Sequence, residues 1–250
     1  MVYIDVQHRE VTLKLVYYGP ALSGKTTNLQ QLHRLMGQGA GSDLVSLDTR
    51  DDRTLFFDLL PLRFRTQGGL SIKLKLFTVP GQVIHNATRK IVLQGADGVA
   101  FIADSQVSET RNNNESFANL KHNLRQNGLG FDDVAVVIQF NKRDLPGIRS
   151  DAEVERIATK GKEPVFTAIA IEGIGVSETF IGLAQSSWRK LEKNYELQER
   201  FGVKEEEFMS AVRRLFEAGS HDTGPPDDEL FGDEDEDDDD ELLVDVEEDG

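Results

Sequence analysis

The stretch Gly19-Pro-Ala-Leu-Ser-Gly-Lys-Thr-Thr27 decides the fold class of this chain, because it fits the pattern G-x-x-x-x-G-K-[ST]. An apolar, β-branched run from Val11 to Tyr18 precedes it, and a helical pattern begins at Thr27. In that setting backbone N–H groups turn inward around phosphates, Lys25 reaches the β- and γ-phosphates, and the Thr26 hydroxyl ligates Mg²⁺. The pattern therefore predicts a phosphate-binding P-loop rather than a strand-to-helix turn that binds nothing. We expect every residue of the stretch to contact the nucleotide: Gly19, Pro20, Ala21, Leu22, Ser23, Gly24, Lys25, Thr26 and Thr27.

Strand-like and helical patterns continue outward from the P-loop in both directions. Strand-like runs are Val2–Val6, Val11–Tyr18, Leu55–Leu62, Ile72–Val79, Gly98–Ala103, Val134–Phe140 and Pro164–Ala170, and most of the later ones are separated by helical patterns. The segment from Gly37 to about Arg53 is expected to be a loop. This alternation predicts an α/β fold with a central, mostly parallel sheet flanked by helices.

The C-terminal region predicts a further helix and then a tail. Phe208, Val212, Leu215 and Phe216 follow helical spacing, so residues 200–219 are expected to form an amphipathic helix after a nucleotide-binding domain of residues 1–199. Its apolar stripe can dock on that domain or in the groove of a partner. Trp188, on the preceding helical pattern Val176–Glu199, is expected to lie in the core.

The last residues are strongly acidic. From Asp222 to Gly250 there are 17 Asp or Glu and no Lys or Arg, which leaves the rest of the chain with 28 basic and 27 acidic residues. Such a block repels itself, so residues 220–250 are expected to be disordered. The tail can be a solvating segment, or an interaction or autoinhibitory segment that uses the apolar stretch Leu242-Leu243-Val244.

Composition also excludes several classes of function. The chain has no cysteine, so disulfides and thiolate metal sites are excluded. A net charge of −16 without a dense basic run argues against a nucleic-acid partner. We find no signal segment, no apolar run long enough to span a bilayer and no common lipid acceptor. The protein is therefore expected in the cytoplasm without a membrane anchor of its own, and recruited to a cell pole or membrane, if at all, by partners.

A second motif, Asn141-Lys-Arg-Asp144, indicates the base of the nucleotide. It follows the apolar run Val134–Phe140 and so stands at the carboxyl end of a buried strand, where open α/β sheets bind ligands. The Asp144 carboxylate can accept from N1–H and the exocyclic amine of guanine, a donor pair that adenine lacks. Asn141 is expected to tie this loop to the P-loop, and the stem of Lys142 to cover the ring face.

Five blocks of sequence together resemble the MglA family, the mutual gliding protein A type of bacterial Ras-like small GTPases that act as polarity switches. These blocks are Tyr17–Gln30, Asp52–Leu62, Thr78-Val-Pro-Gly-Gln82, Ala103-Asp-Ser-Gln106 and Asn141–Pro146. The likeness covers about residues 1–195 and does not include the acidic tail. It implies a Ras-like small GTPase fold, GTP or GDP with Mg²⁺ as cofactors, and hydrolysis of GTP.

The resemblance also implies roles for individual residues. Thr54 would meet Mg²⁺ and the γ-phosphate in the GTP state, Arg53 would supply an arginine finger in cis, and Gln82 would orient the attacking water. Thr78 and Gly81 would also bind the nucleotide, although many GTPases have, where Thr78 stands, an aspartate that holds Mg²⁺ through water. Ala168 and Ile169 would contact the guanine carbonyl.

The expected function is a switch in which GTP binding orders Asp51–Thr54 and Gly81–Arg89 and so recruits partners. By resemblance the activator would be a Roadblock-fold protein and the effectors would serve polarity or gliding. Ala21 replaces the glycine usual in Ras-like P-loops, so hydrolysis is expected to be slow. Two rivals stay open: a nucleotide-binding scaffold with little hydrolysis that acts through its C-terminal helix and tail, and a P-loop kinase or ATPase.

Overall fold

The computed structural model describes residues 2–37, 43–47, 57–81 and 86–217. The strands are β1 Tyr3–Asp5, β2 Glu10–Tyr18, β3 Val45–Leu47, β4 Phe57–Arg65, β5 Ser71–Thr78, β6 Gly98–Asp104, β7 Ala135–Asn141 and β8 Val165–Thr167. The α-helices are α1 Lys25–Met36, α2 Asn86–Leu93, α3 Thr110–Gln126, α4 Asp151–Lys160, α5 Val176–Tyr195, α6 Leu197–Phe201 and α7 Glu205–Glu217.

Within these residues the strands form one sheet in the order β3-β4-β5-β2-β6-β7-β8, and β1 pairs with β2. Pairing is parallel between β2 and β5, β2 and β6, β6 and β7, and β7 and β8. The other three pairs, which involve β1, β3 and β4, are antiparallel. The predicted α/β fold with a central, mostly parallel sheet is confirmed.

Strand β2 lies inside the sheet because both of its faces are apolar. Val11, Leu13 and Leu15 pack into the core on the side of α1, α5 and α7, while Val16 and Tyr18 pack into the core on the side of α2, α3 and α4. A strand covered on both faces reads as a nearly continuous apolar run, as it does here. The β2 end is thus fixed, and the P-loop starts from a rigid support.

Two predicted boundaries are wrong. The predicted loop between Gly37 and Arg53 contains the short strand β3, which pairs with β4 at the edge of the sheet. The predicted helix Val176–Glu199 is interrupted at Glu196, which takes a left-handed conformation with φ 54° and separates α5 from α6. Short edge strands and single left-handed residues leave little periodic pattern in a sequence.

Helix α7 packs on the domain rather than extending away from it. The buried ring of Phe208 stacks on Trp188 of α5, with centroids 4.3 Å apart, and lies 6.1 Å from Phe64 of β4. Of the two docking possibilities, the structure therefore has the first, and the predicted core position of Trp188 is confirmed.

The C-terminal helices also hold the turn between β4 and β5. The Glu207 carboxylate accepts from the Gly68 N–H, and Arg9 donates to the carbonyls of Gly68 (3.0 Å) and Phe201 (2.8 Å).

In the part of the chain that the structure describes, no helix is both long enough and apolar enough to cross a bilayer. The predicted tail, residues 220–250, lies outside the described residues.

Candidate nucleotide-binding site

The P-loop connects the end of β2 to the start of α1, as the sequence predicts. Gly19 and Gly24 have positive φ, and a β-carbon on Gly24 would overlap the Asn141 amide. Pro20 and Ala21 follow Gly19, and Ser23 is buried beneath the loop with its hydroxyl unpartnered among the described residues. Backbone N–H groups at the start of a helix favour an anion, so this loop has the geometry that binds phosphates.

Lys25 is buried at the first position of α1, with 7% of its surface exposed. Its ammonium group donates to the carbonyl of Pro20 at 2.6 Å, so the side chain folds over the loop. Burial, together with the nearby charge of Arg89, lowers the pKa of Lys25 to about 7, although the Asp58 carboxylate acts in the opposite direction. A buried, poorly compensated cation at this point is well placed to receive a phosphate.

Asp58 of β4 connects the P-loop to the end of β5. Its Oδ2 accepts from the Thr26 hydroxyl at 2.7 Å and from the Thr78 hydroxyl at 2.9 Å, and its N–H donates to Thr78 Oγ1 at 2.9 Å. Although Thr78 stands where many GTPases have an aspartate, a carboxylate reaches the same place from the neighbouring strand. Asp58 is a site residue that was not predicted. The sequence feature that could have indicated it is a single carboxylate within the apolar run Leu55–Leu62.

This group of oxygens fits Mg²⁺. Magnesium keeps several waters and is held by one or two carboxylates together with substrate phosphates. The described residues contain no cluster of three or more His, Asp or Glu. A magnesium ion here would therefore depend on the Thr26 hydroxyl, the Asp58 carboxylate and the nucleotide itself.

Gly81 lies directly against the P-loop. A β-carbon at Gly81 would overlap the Cα of Ala21 and would stand 2.6 Å from the Ala21 nitrogen and 2.9 Å from the Pro20 carbonyl oxygen. The chain leaving β5 is thus in backbone contact with the loop. Ala21 is exposed and meets Gly81 through its backbone, and the chain continues from Gly81 to Gln82.

The guanine-type motif lies beside the P-loop, at the end of β7. Asn141 donates from Nδ2 to the Ser23 carbonyl at 2.8 Å and accepts from the Ala170 N–H at 2.9 Å. The predicted tie between the two loops is present. Lys142 has φ 65° and forms an ion pair with Asp104, with Nζ 2.7 Å from Oδ2.

A cavity of about 250 Å³ opens between these two motifs. Its lining residues come from the P-loop, from the Asn141–Leu145 segment and from the turn after β8: Leu22, Gly24, Thr27, Asn141, Lys142, Asp144, Leu145, Ala170 and Ile171. The P-loop forms one wall of the cavity and the Asp144 loop forms another, so the cavity lies between the candidate phosphate site and the candidate base site. The structure thus brings together the two motifs that sequence analysis singled out.

The two residues expected at the guanine carbonyl, Ala168 and Ile169, lie just after β8. Strand β8 ends at Thr167 instead of reaching Ala170, and the N–H groups of Ala168 and Ile169 donate to Phe140 and Ile174. Neither residue lines the cavity, whereas Ala170 and Ile171 do. The physical reason is that Ala168 is buried against the end of β7, and the chain turns toward the cavity only afterwards.

Arg89 of α2 is a further site neighbour that sequence analysis did not single out. Its buried guanidinium lies over the Tyr18 ring, 4.4 Å from the centroid, and donates to Ser116 Oγ at 2.9 Å and to the Gly19 carbonyl at 3.4 Å. Its Nε and second terminal nitrogen have no partner among the described residues. Burial lowers the pKa of Arg89. Helix α2 is thereby joined to the first residue of the P-loop.

Three predicted catalytic or metal-binding residues, Arg53, Thr54 and Gln82, lie outside the described residues. The same holds for the loop Asp51–Thr54, while the segment Gly81–Arg89 is described at Gly81 and from Asn86 onward.

The sheet topology, the P-loop after β2 and the second motif after β7 define a P-loop protein with the Ras-like small GTPase fold. A scan against models of protein families finds no match. Comparison with known proteins finds the mutual gliding-motility protein MglA of Myxococcus xanthus (strain DK1622), 42% identical over 193 residues, which are 77% of this chain and 99% of that relative. The chain belongs to the MglA family of small GTPases.

Proposed function

We propose that this protein is a GTP-binding switch that hydrolyses GTP to GDP and recruits partners in its GTP state. One observation carries the proposal: the Asn141 amide bonds to Ser23, which holds the Asp144 loop against the P-loop with a shared cavity between them. That arrangement suits a guanine nucleotide whose phosphates lie in the P-loop and whose base edge faces the Asp144 carboxylate.

Within this proposal each residue has a defined task. Lys25 binds the β- and γ-phosphates, and the hydroxyl of Thr26 and the carboxylate of Asp58 hold Mg²⁺, with Thr54 as the further ligand implied by the resemblance. Magnesium, when bound, neutralises charge on the phosphates. Gln82 orients the water and Arg53 stabilises the developing negative charge. The guanine contacts are assigned to Ala170 and Ile171, which line the cavity, in place of Ala168 and Ile169.

The cellular role follows from the family. The relative's name describes a gliding-motility protein, and we propose that this chain also serves motility or cell polarity, with a Roadblock-fold activator and polarity effectors as partners. We place it in the cytoplasm, with recruitment to a pole or membrane through those partners. A shared fold does not fix a pathway, so this assignment depends on the family relationship.

Nucleotide competition tests the binding step. We expect GDP and GTP to displace bound GDP and ATP to fail, because adenine offers Asp144 no donor pair. Replacement of Asp144 by asparagine should weaken GDP binding by about a hundredfold, since the paired acceptor is lost. Competition by ATP at equal strength would instead support a P-loop kinase or ATPase.

Single-turnover release of γ-phosphate from GTP-loaded protein tests the catalytic step, with Arg53→Ala as the matched variant. Release that depends on Arg53 supports an enzyme with its arginine in cis. The rival, a nucleotide-binding scaffold, is favoured by Ala21, which stands where Ras-like P-loops usually have glycine. Protein that holds GTP and releases no phosphate would favour that rival over the switch.

A further inference from the structure

Leu22 combines two unfavourable features in the P-loop. Its φ is 60°, a left-handed conformation that is strained for a residue with a β-carbon. Its side chain is also 87% exposed, so it adds nothing to the core. Among the described residues, Arg9, Lys142 and Glu196 are also non-glycine residues with positive φ. The side chains of Arg9 and Lys142 form hydrogen bonds or ion pairs, and Glu196 is the residue between α5 and α6. The strain at Leu22 is therefore not offset by burial of its side chain in the core.

The exposed side chain of Leu22 lines the cavity between the two nucleotide motifs. Across the cavity stands Ile171, which is 71% exposed. Hydrogen bonds fix the backbone around Ile171: the Ala170 N–H donates to Asn141 Oδ1, and the Ile171 carbonyl accepts from Gln31 at 3.0 Å. Two exposed apolar side chains thus line a cavity whose other walls combine polar side chains, among them Asn141 and Asp144, with Leu145 and Ala170.

We propose that the side chains of Leu22 and Ile171 close over the nucleoside part of the bound guanine nucleotide and slow its release. This inference rests on the proposed function. Phosphates are bound by backbone N–H groups and Lys25, and the base edge by Asp144, so the apolar faces of the sugar and base are left for apolar side chains. Burial of those apolar surfaces offsets the strain at Leu22 once nucleotide is bound. Strained residues are commonly found at ligand-binding sites of this kind.

The first test is the dissociation rate of radiolabelled GDP in the presence of excess unlabelled GDP. Leu22→Ala and Leu22→Asn should each release GDP about tenfold faster than the wild type, because about half of a leucine's burial is lost. Leu22→Met keeps an apolar cover and should stay within about twofold of the wild type. Ile171→Ala should act in the same direction as Leu22→Ala.

A matched control is Ile174→Ser, since Ile174 is 55% exposed on the same loop but does not line the cavity. It should leave GDP release unchanged. Binding of inorganic pyrophosphate, which occupies only the phosphate part of the site, should be the same for Leu22→Ala and the wild type. The midpoint of thermal unfolding of nucleotide-free Leu22→Asn should equal or exceed that of the wild type, because asparagine tolerates the left-handed conformation.

The outcomes separate this inference from the proposed function. Failure of the wild type to bind GDP would remove the proposed function. If the wild type binds GDP and Leu22→Ala releases it at the wild-type rate, the proposed function stands and the inference is wrong. Equal losses of GDP and pyrophosphate affinity in Leu22→Ala would also overturn it, because the effect would then lie in the phosphate loop.

Discussion

The Thr26 hydroxyl donates to the Asp58 carboxylate at 2.7 Å, although the two residues lie 32 positions apart and on different elements. This bond joins the start of α1 to strand β4, and Thr78 completes the group from β5. A negative charge next to the first turn of the P-loop helix gives the site one carboxylate for a divalent cation. Three segments of the chain thus meet at the point where we propose Mg²⁺ to bind.

We expect Asp58→Asn to raise the Mg²⁺ concentration needed for half-maximal retention of GDP by about tenfold to a hundredfold. Asparagine has the shape of aspartate and can accept from Thr26, but it lacks the charge that attracts the cation. The measurement is the GDP release rate across a Mg²⁺ titration. Asp151→Asn is the control, because Asp151 is exposed and pairs with Arg143. Superimposable titrations for Asp58→Asn and the wild type would contradict the proposed metal site.

We also expect GDP binding to be accompanied by proton uptake at about pH 8.5. Burial lowers the pKa of Lys25 to about 7 in the nucleotide-free protein, so its amine is mostly neutral at that pH. Bound phosphate favours the charged form and raises the pKa, so the complex holds about one more proton than its parts. The uptake should fade as the pH falls below about 7, where Lys25 is already charged.

Calorimetry in buffers of different ionisation enthalpy measures this uptake, because the observed binding enthalpy then depends on the buffer. Free GDP is fully ionised at this pH, since the second phosphate pKa is about 6. A Lys25→Arg protein, which is charged throughout, should bind without the buffer dependence. Buffer-independent enthalpies for the wild type would show that Lys25 does not change its charge.

Ala21→Gly should accelerate single-turnover GTP hydrolysis by about tenfold to a hundredfold, because small displacements of reacting groups cost factors of this size. The reason is that Ala21 carries a β-carbon where Ras-like P-loops usually have glycine, and that Gly81, the residue before Gln82, is in contact with the backbone of Ala21. Gly81→Ala should act in the opposite direction, since its β-carbon has no room. A rate for Ala21→Gly no greater than that of the wild type would refute this explanation of slow hydrolysis.

Phe208→Ala should lower the free energy of unfolding by about 3–5 kcal/mol. The Phe208 ring is fully buried between Trp188 and Phe64, and its removal leaves a cavity under α7. Urea denaturation at constant nucleotide concentration measures the change, because bound ligand also stabilises the fold. Glu206→Ala, on the exposed side of the same helix, should change the free energy by less than about 0.5 kcal/mol. Equal urea midpoints for Phe208→Ala and the wild type would mean that α7 does not depend on this contact.

Sequence predicted the features that reside in short contiguous stretches. Two motifs can be recognised from consecutive residues alone: the P-loop from Gly19 to Thr27 and the motif from Asn141 to Asp144. The apolar runs before them place both motifs at strand ends. Their mutual position also follows, because the carboxyl ends of parallel strands meet at one edge of a sheet. The tie between Asn141 and Ser23 could therefore be predicted before any coordinates.

The features that sequence missed depend on contacts between distant segments. Asp58 gains its role only because β4 pairs with β5 and lies beside α1. The apolar run Pro164–Ala170 does not show that β8 ends at Thr167, so the sequence could not predict that Ala170 and Ile171 line the cavity. The amphipathic stripe of α7 does not show whether the helix packs on its own domain or in the groove of a partner. The stacking of Phe208 on Trp188 shows that it packs on its own domain.

That stacking also bears on where the chain can be shortened. The likeness to MglA covers 193 residues, so a fragment ending near Tyr195 would seem to hold a whole small GTPase. Such a fragment would expose Trp188 to water and would lose the carboxylate of Glu207 from the β4–β5 turn. The smallest fragment that keeps its aromatic surface covered ends at Glu217, after the last residue of α7.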